Sequence, residues 1–550
     1  LVTDRNTGKG SDIYAFVARP CEITLSAIEV IQEFTGGAYA IAGSVQFKDA
    51  PAKGELLIAD NKGMTQKYSL PLESPFKFQI DNLDCDQDTI TKIVTASFTD
   101  GKCKSESSYV APAEIKRDFY LGQLIERKHN GLVKIITGLR RVGKSYLLFK
   151  LFKKHLVENG VKESNIIEIA LDQEKYQQLQ NPIELAAYLR ERIKGRGKFY
   201  VLIDEIQMSL KVRKPGLKPS DVAPEDRKNL YVTFYDVLNE FMAMPNVDIY
   251  VTGSNSKMLS KDIATNFKDR GFEIRVHPLS FGEYVSATGM EKAEAFEEYL
   301  IWGGMPTAVL EKSDAMRSKY LKDIFYKVYL SDIRERNKLK DDIVLERVAD
   351  MLFSSVGSLT SVHNIVNTLK SQASISTTDK TIKKYLDYLE DAFLFSKARR
   401  YDIKGKRYLY FPEKYYAEDL GLRNAKVNFR QTEPSHLMEN AIYNELVRRG
   451  CNVDVGVVEQ FGKENGKTVK RQYEIDFVVN LGMKKVYIQS AFRIPNEEKM
   501  RQETASLRKS GDFFKKIVVT SGSRRALTDD CGIVHVGVIP FLLEPSILTD

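Results

Sequence analysis

A glycine-rich loop near residue 140 holds the residues with the clearest chemistry. Gly138 and Gly143 are separated by four residues, and Lys144 and Ser145 follow directly. Glycines at this spacing let backbone N–H groups surround a phosphate, because no Cβ is in the way. A helix that starts near Lys144 points its partial positive charge at the same place. We therefore expect Lys144 to reach the β- and γ-phosphates of a nucleotide, and Ser145 to bind Mg²⁺ through its hydroxyl.

The segments on either side of this loop support the pattern G-x-x-x-x-G-K-[ST], because an apolar strand precedes it and an apolar helix follows it. The expected cofactors are ATP and Mg²⁺. Arg140 and Arg141 could contact phosphate or the protein's own acidic residues, and the sequence leaves both possibilities open. The residues predicted to bind the nucleotide are Gly138, Leu139, Arg140, Arg141, Val142, Gly143, Lys144, Ser145 and Tyr146.

A pair of acidic residues ends a strongly apolar segment. The five residues 199–203 are apolar, and Asp204 and Glu205 follow them. This pattern is typical of a buried parallel strand with charge at its carboxyl end. In phosphate-loop enzymes the acid at this position holds Mg²⁺, and a following glutamate can orient or deprotonate the attacking water. We predict that Asp204 is the metal-site acid and Glu205 the general base. The alternative is a solvated turn after a strand.

Polar residues also follow the predicted strand Val247–Thr252, in the turn that contains Ser254 and Asn255. A polar side chain beside the acid-bearing strand could contact the γ-phosphate and the attacking water, and we predict that Asn255 or Ser254 has this role. Turn chemistry favours the same residue types, so a simple turn is the alternative.

Five motifs follow one another in a fixed order: GLRRVGKS, LIDEIQ, VTGSNSKML, RGFEIRVHPLSFGEY and WGGMP. Together they resemble the AAA_14 family of AAA-like ATPases over about residues 114–550. The resemblance implies an AAA+-type αβα core, followed by the C-terminal domain called DUF4143 that members usually carry.

An arginine before a glycine belongs to the same family pattern, and Arg270-Gly271 matches it. The resemblance therefore implies that Arg270 senses the γ-phosphate or serves as a finger supplied to a neighbouring subunit. A simple ion pair with an acidic residue is the alternative. Asp269 stands where a glycine is common, which affects only the local turn.

The order of elements between 361 and 410 predicts a winged helix-turn-helix. A helix at Val362–Leu369 is followed by a turn at Ser374–Thr378, the helix Asp379–Asp391 and two strands around residues 404–406. Its basic residues could contact the phosphates of double-stranded DNA without reading sequence, although winged helices also bind proteins. The predicted phosphate contacts are Lys380, Lys383, Lys384, Lys397, Arg399, Arg400, Lys404, Lys406 and Arg407.

Acidic residues in the last segment follow the layout of PD-(D/E)xK nucleases, in which carboxylates hold Mg²⁺ and a lysine activates water. The matching positions are Glu439, Asp476 and Gln489, with Ala491 at the lysine position. We therefore expect an inactive relative, kept for its fold or for binding. Glu474 would share a strand face with Asp476 and could add a carboxylate.

Composition excludes few classes of function. The chain has 550 residues and a net charge of +8, with 82 basic and 74 acidic residues. This balance permits contact with nucleic acid without requiring it. No apolar run in the sequence is long enough to span a membrane. Cys451 and Cys531 lack metal-ligand spacing, so we expect residues 113–550 to be cytoplasmic.

Residues 1–112 have a different character, because short runs of β-forming residues alternate with turn residues. The opening Asp4–Phe16 weakly resembles the end of a β-propeller repeat in bacterial envelope proteins. The segment Cys21–Pro112 weakly resembles an immunoglobulin-like repeat. The resemblance implies an extracytoplasmic location, where a disulfide between Cys85 and Cys103 is plausible. It also raises the possibility of a fused or mis-joined reading frame.

We thus expect a multidomain chain with an N-terminal β-sandwich, a P-loop αβα ATPase of the AAA+ type, a winged helix and an α/β nuclease-like domain. The predicted ranges are 1–112, 113–312, 313–412 and 413–550. The predicted function is Mg²⁺-dependent ATP hydrolysis coupled to the winged-helix and nuclease-like module, on DNA, with a protein partner or a homo-oligomer. The alternative is a slow nucleotide-gated switch, or a DNA- or protein-binding module without significant turnover.

Overall fold

The computed structural model of the protein describes most of the chain, in two units that comprise residues 1–114 and 115–550. This division lies two residues from the boundary that we predicted at 112. The described residues are 22–25, 29–33, 38–48, 54–60, 65–84, 91–98, 104–110, 115–218, 220, 222–254, 270–339, 343–430, 433–464 and 467–549.

Eight strands are described in the first unit, and they form two antiparallel sheets of four. In one sheet β3 pairs with β1, β2 and β6, and the other has the order β5-β4-β7-β8. The strands are β1 (Glu22–Leu25), β2 (Glu29–Glu33), β3 (Ala38–Lys48), β4 (Glu55–Asp60), β5 (Thr65–Ser69), β6 (Phe76–Asp84), β7 (Thr91–Phe98) and β8 (Lys104–Val110).

A small apolar core joins the two sheets of this unit. It includes Val45 and Phe78 from one sheet and Leu56 and Phe98 from the other, all buried. The segment Asp4–Phe16 and the cysteines whose location we predicted lie outside the described residues. Those cysteines are Cys21, Cys85 and Cys103.

A parallel five-stranded sheet forms the centre of the first part of the second unit, with the order β10-β11-β14-β9-β15. The strands here are β9 (Val133–Thr137), β10 (Ile166–Ala170), β11 (Phe199–Asp204), β12 (Val212–Arg213), β13 (Tyr231–Val232), β14 (Val247–Thr252) and β15 (Gly271–Arg275). The helices are α1 (Asp118–Glu126), α2 (Lys144–Tyr146), α3 (Lys153–Glu158), α4 (Pro182–Arg192) and α5 (Phe234–Met242), and a π-helix (Leu147–Phe152) joins α2 to α3.

Helices cover both faces of this sheet, because its strands are apolar on both sides. Ile135 and Val201 pack with residues of α4 and α5 on one face, whereas Ile136 and Tyr250 pack with residues of α1 and the π-helix on the other. The layers are therefore αβα. Since all five strands are parallel, their carboxyl ends share one edge, and β14 lies between the strand that leads into the glycine-rich loop and the strand that ends in Asp204.

A buried ion pair joins β9 to β14 inside the sheet. The Lys134 ammonium contacts the Asp248 carboxylate, and both side chains are buried. The same carboxylate accepts hydrogen bonds from the Tyr250 hydroxyl (2.8 Å) and the His129 N–H (2.9 Å). These contacts satisfy a carboxylate that would otherwise be costly to bury.

Helices follow the parallel sheet, and residues 314–337 form one helical run with a π-helical segment (Phe325–Leu330). The helices are α6 (Phe281–Thr288), α7 (Lys292–Trp302), α8 (Pro306–Leu310), α9 (Asp314–Ile324), α10 (Ser331–Asn337), α11 (Ile343–Ser354), α12 (Val362–Ala373) and α13 (Asp379–Asp391), with the short strand β16 (Leu359–Thr360) between α11 and α12.

The last part of the chain is built on a mixed sheet of nine strands, in the order β16-β18-β17-β19-β20-β21-β22-β24-β23. The strands that follow β16 are β17 (Phe395–Asp402), β18 (Arg407–Ala417), β19 (Asn452–Glu464), β20 (Lys467–Leu481), β21 (Lys484–Ala491), β22 (Lys515–Thr520), β23 (Leu527–Thr528) and β24 (Ile533–Gly537). The helices are α14 (Leu420–Lys426), α15 (Pro434–Arg448), α16 (Glu497–Lys509), α17 (Val538–Leu543) and α18 (Ser546–Thr549).

The predicted domain boundaries within 113–550 do not separate independent parts. The boundary between 412 and 413 falls inside β18, which pairs with β17 along most of its length. Strand β17 in turn pairs in parallel with β19, so the hairpin predicted as a wing belongs to the same sheet as the α/β layer. One cluster of buried apolar residues extends from Ile115 to Leu548, across the boundary at 312 as well.

A buried carboxylate connects the edge of the parallel sheet to the C-terminal half. Glu418 directly follows β18 and accepts hydrogen bonds from Arg275 Nη2 at 2.7 Å and from His277 Nδ1 at 2.5 Å. Burial alone would raise the pKa of Glu418, but Arg275 and His277 outweigh burial and hold the pKa at about 2. The charged form of this carboxylate therefore stabilises the folded chain.

Replacement of this carboxylate should destabilise the protein in a pH-dependent way. We expect Glu418→Gln to lower the free energy of unfolding by about 3–5 kcal/mol at neutral pH, because the substitution leaves the partly buried Arg275 guanidinium and the buried His277 ring without their charged partner. Since the folded pKa lies below the unfolded value, this loss should be complete above about pH 5 and should shrink as the pH falls towards 2. Urea unfolding at a series of pH values measures it.

The matched control for this experiment is Glu498→Gln, which removes an exposed carboxylate from α16. It should change the free energy of unfolding by less than about 1 kcal/mol at every pH. A loss in Glu418→Gln that stays constant down to pH 2.5 would contradict the assigned charge of Glu418.

Candidate nucleotide-binding site

The glycine-rich loop leaves β9 at the carboxyl edge of the parallel sheet. Gly138 has a φ of +134°, and a Cβ there would lie 2.1 Å from the Val276 carbonyl oxygen, so only glycine fits. Gly143 has a φ of +91° and lies directly before α2. The loop can therefore curve tightly and present its backbone N–H groups at the helix N-terminus, as phosphate binding requires.

Lys144 lies inside this loop. Its side chain is buried, and Nζ donates to the carbonyl oxygens of Gly138 (3.0 Å) and Leu139 (2.9 Å). Burial lowers the pKa of Lys144 to about 8, although Glu205 and Asp204 oppose the shift. Among the described residues no carboxylate forms an ion pair with Lys144. Within the described residues its hydrogen bonds therefore go to neutral oxygens, in a position where an anion would stabilise it.

The other loop residues differ in exposure. Ser145 is exposed, so its hydroxyl is accessible to a ligand, and Tyr146 is half-buried. Leu139 and Val142 are fully buried in the apolar core, so these two can contribute to phosphate binding only through their backbone N–H groups. Arg141 is exposed and has a positive φ of 67°.

A buried arginine that sequence reasoning did not identify contacts the glycine-rich loop. Arg117, just before α1, donates to the Val142 carbonyl (3.3 Å) and the His277 carbonyl (2.6 Å). It also forms an ion pair with Glu283 at 3.1 Å. Arg117 thus connects the loop to the chain that follows β15. No local pattern marks it, because its partners are distant in sequence.

The two acids at the end of β11 are joined by the last residue of β14. The Thr252 hydroxyl donates to the Asp204 carboxylate and accepts from the Glu205 N–H at 3.0 Å. Asp204 is buried, and Glu205 has a φ of +54°. Thr252 was also missed, although its position at the end of the strand beside β11 is the signal that could have identified it. The predicted acids therefore lie at the same sheet edge as the loop.

The carboxylate of Glu205 is held by Gln207, whose amide also donates to the Ser254 hydroxyl at 3.3 Å. Burial raises the pKa of Glu205 above its ordinary value, and the nearby Lys144 opposes the shift. A carboxylate with a raised pKa is a better proton acceptor near neutral pH. Ser254 is buried beside this pair, and Asn255 lies outside the described residues.

Arg140 turns away from the loop towards the helices that follow. Its guanidinium lies 3.4 Å from the Asp332 carboxylate, and its carbonyl oxygen accepts from the Tyr329 hydroxyl at 2.9 Å. Of the two alternatives left open by the sequence, Arg140 therefore contacts one of the protein's own acids. Both contacts connect the loop to the π-helix and α10.

Arg270 does not lie near the loop of its own chain. Gly271 pairs with Val133 at the start of β9, and the Arg270 carbonyl accepts from the Val133 N–H. The loop begins after Thr137, one strand length away, which is roughly 16 Å at about 3.3 Å per residue. Sensing of a γ-phosphate within the same chain is therefore excluded by the direction of β15. A role towards a neighbouring subunit stays a prediction.

The acidic positions predicted in the C-terminal part come together. Glu439 and Asp476 both contact Lys414, and Gln489 donates to Asp476 at 2.8 Å. Ala491 is buried. Within the part of the chain that the structure describes, no group of three His, Cys, Asp or Glu residues is arranged to hold a metal ion.

Comparison with known sequences agrees with the site. The sequence model of AAA_14, described as an AAA domain, matches residues 130–285. An uncharacterised protein of Haemophilus influenzae is 33% identical over 441 residues, which cover 79% of this chain and all of that protein. The chain belongs to the AAA_14 family. An uncharacterised protein of Methanocaldococcus jannaschii is 27% identical over 405 residues, which cover 70% of this AAA_14 chain and 80% of the relative.

The region after the AAA domain differs from our expectation. Residues 293–433 match DUF8612, a domain of unknown function, whereas we predicted DUF4143 for the C-terminal part. The prediction of DUF4143 was therefore wrong, because short motifs of the AAA domain do not determine which domain follows it.

Solved structures resemble the AAA_14 chain only loosely. The Aeropyrum pernix ORC1 protein in complex with DNA is 15% identical, with a TM-score of 0.23 and coverage of 58% of this chain and 93% of that one. At this TM-score the likeness adds nothing to the fold described above. No helix in the described part of the chain is both long and apolar enough to cross a membrane.

The geometry predicts that Lys144 contributes to ATP binding and that Arg270 does not. We expect Lys144→Ala to weaken ATP binding about 10- to 100-fold, because one charge-assisted hydrogen bond is worth about 1.5–3 kcal/mol. Arg270→Ala should leave the affinity unchanged, since Arg270 lies at the opposite edge of the sheet. Calorimetric titration of each variant with ATP measures both effects, and equal losses in the two variants would contradict the assigned site.

Proposed function

We propose that the protein is a Mg²⁺-dependent ATPase that couples its nucleotide state to a winged helix on double-stranded DNA. The observation that supports this best is Lys144, a buried ammonium that donates to two backbone carbonyls in a phosphate-loop geometry. The acids Asp204 and Glu205 lie at the same edge of the sheet. A nucleotide phosphate would supply the negative charge that Lys144 lacks.

The residues present fit a magnesium ion, because hydroxyl and carboxylate oxygens are its preferred ligands. Ser145 and Asp204 would hold the ion, which neutralises negative charge on the phosphates when bound. Thr252 fixes the Asp204 carboxylate by a hydrogen bond. Lys144 would bind the β- and γ-phosphates, and Glu205 would orient the attacking water and accept its proton. Gln207 and Ser254 determine the direction of the Glu205 carboxylate.

Contacts of the loop with the helices support the coupling. Arg140 belongs to the loop, whereas its partners Asp332 and Tyr329 belong to α10 and the π-helix before it. A nucleotide phosphate is an alternative partner for the Arg140 guanidinium. Binding of ATP would therefore shift the ion pair with Asp332, and with it the helices that lead to α11, α12 and α13.

The order α11, β16, α12, α13, β17, β18 is that of a winged helix-turn-helix, which supports DNA as the partner. Two of the predicted contacts do not fit, because Arg400 is buried and Lys397 pairs with Glu390 at 3.0 Å. The remaining predicted contacts are exposed, and they can reach phosphates without reading bases. These are Lys380, Lys383, Lys384, Arg399, Lys404, Lys406 and Arg407.

The experiment is ATP hydrolysis by the full chain with Mg²⁺, with and without duplex DNA, beside Lys144→Ala and Glu205→Gln. We expect Glu205→Gln to bind ATP but to hydrolyse it about 10²–10⁴-fold more slowly, because it lacks the general base. Turnover that DNA raises would support the proposal. If DNA does not change the turnover, the winged helix would be assigned to a protein partner. ATP binding without turnover would indicate a slow switch. Failure to bind ATP would contradict the proposed function.

Coupling through the loop gives a separate prediction. We expect Asp332→Asn to reduce the stimulation of ATP hydrolysis by DNA at least about threefold, because Arg140 loses its ionic partner on α10. The matched control is Asp323→Asn, which removes a partly exposed carboxylate paired with Lys327 on the same run of helices. Stimulation curves for the two variants, measured against DNA concentration, test this, and identical curves would exclude the Arg140 contact as the connection.

A further inference from the structure

A buried lysine lies among three carboxylates in the C-terminal α/β layer. The Lys414 ammonium is 2.8 Å from Glu474, 3.0 Å from Glu439 and 3.5 Å from Asp476. Only 5% of the Lys414 side chain is exposed. The lysine comes from β18, Glu439 from α15 and the other two acids from β20, so three separate elements meet at one point.

Two of these carboxylates accept further hydrogen bonds. The Tyr416 hydroxyl donates at 2.7 Å to the same Glu439 oxygen that contacts the lysine. Asp476 accepts from the Gln489 side-chain amide at 2.8 Å and from the Ser490 backbone N–H at 2.9 Å. These contacts fix the direction in which both carboxylates face the ammonium.

The cluster has the ligand chemistry of a magnesium or manganese site, but within the described residues its carboxylates are arranged around an ammonium and not around a metal position. Carboxylate oxygens converging from a helix and a strand are the ligands that such ions prefer. An ammonium has three N–H donors, and three carboxylates surround this one. We propose that Lys414 is the resident cation of this cluster and occupies the place of a divalent ion, so that the intact chain binds no metal there.

The protonation of Lys414 is consistent with this role. Burial favours the neutral amine, but Asp476, Glu439 and Glu474 outweigh burial and raise the pKa of Lys414 above its ordinary value. All three carboxylates lie within 3.5 Å of Lys414 Nζ, so the surroundings of this side chain favour its ammonium form.

The position of Lys414 also gives the cluster a mechanical role. Strand β18 is the second strand of the wing hairpin, and the ion pairs hold it against α15 and β20. A divalent ion would need an additional ligand on β18 to make the same connection, whereas a lysine carries its charge on β18 itself. The cluster therefore joins the winged-helix elements to the α/β layer without dependence on metal supply.

The test is Mn²⁺ titration of the nucleotide-free full chain, followed by electron paramagnetic resonance. We expect no binding of Mn²⁺ that depends on Asp476 in the natural chain. Lys414→Ala should gain a Mn²⁺ site, with an affinity at least tenfold higher than any Mn²⁺ binding by the natural chain. The double variant Lys414→Ala/Asp476→Asn should lose this site again. The matched control is Lys426→Ala, which removes a buried lysine paired with only two carboxylates, Glu346 and Asp350, and should gain no site.

Two results would overturn the proposal. One is Asp476-dependent binding of Mn²⁺, or Mn²⁺-dependent cleavage of DNA, by the natural chain. The other is a folded Lys414→Ala variant that gains no site. If Lys414→Ala does not fold in the presence of a chelator, recovery of folding on addition of Mn²⁺ supports the proposal, and failure of Mn²⁺ to restore folding contradicts it.

Discussion

Burial of the Lys144 ammonium, with no carboxylate within ion-pair distance among the described residues, is the constraint on which the site depends. The chain neutralises other buried lysines, because Lys134 pairs with Asp248 and Lys426 with two acids of α11. Lys144 instead has two carbonyl oxygens, and its pKa is lowered to about 8 because of burial. The folded loop therefore keeps an incompletely compensated charge at the place where a phosphate would bind.

The order of the strands explains how the rest of the site is assembled. Because β14 lies between β9 and β11, the last residue of β14 is next to both the loop and the acids. Thr252 uses this position to hold Asp204 and the backbone of Glu205 together. The buried pair of Lys134 and Asp248 fixes β14 against β9 within the sheet. The carboxyl edge of the sheet, which holds the loop and the acids, is thus positioned by the packing of the central strand β14.

The sequence predicts the parts of the site that have local signals. The loop and the acidic pair are contiguous in sequence, and the strand Val247–Thr252 agrees with its apolar pattern, so each was identified from a few residues. Arg117 and Lys414 were missed because their partners are distant along the chain. Arg270 was assigned by resemblance, but the direction of β15 depends on tertiary pairing that a short motif does not encode. The boundary at 412 was misplaced for the same reason.

The continuity of the nine-stranded sheet has a consequence for how this part of the chain can move and evolve. Strand β17 pairs with β19, so separating the hairpin from the α/β layer would expose unpaired N–H and C=O groups along two strand edges. Exposed edges of this kind promote association with other chains. The hairpin is therefore not a detachable module, and a rotation of the hairpin would have to carry the neighbouring strands with it or break this pairing.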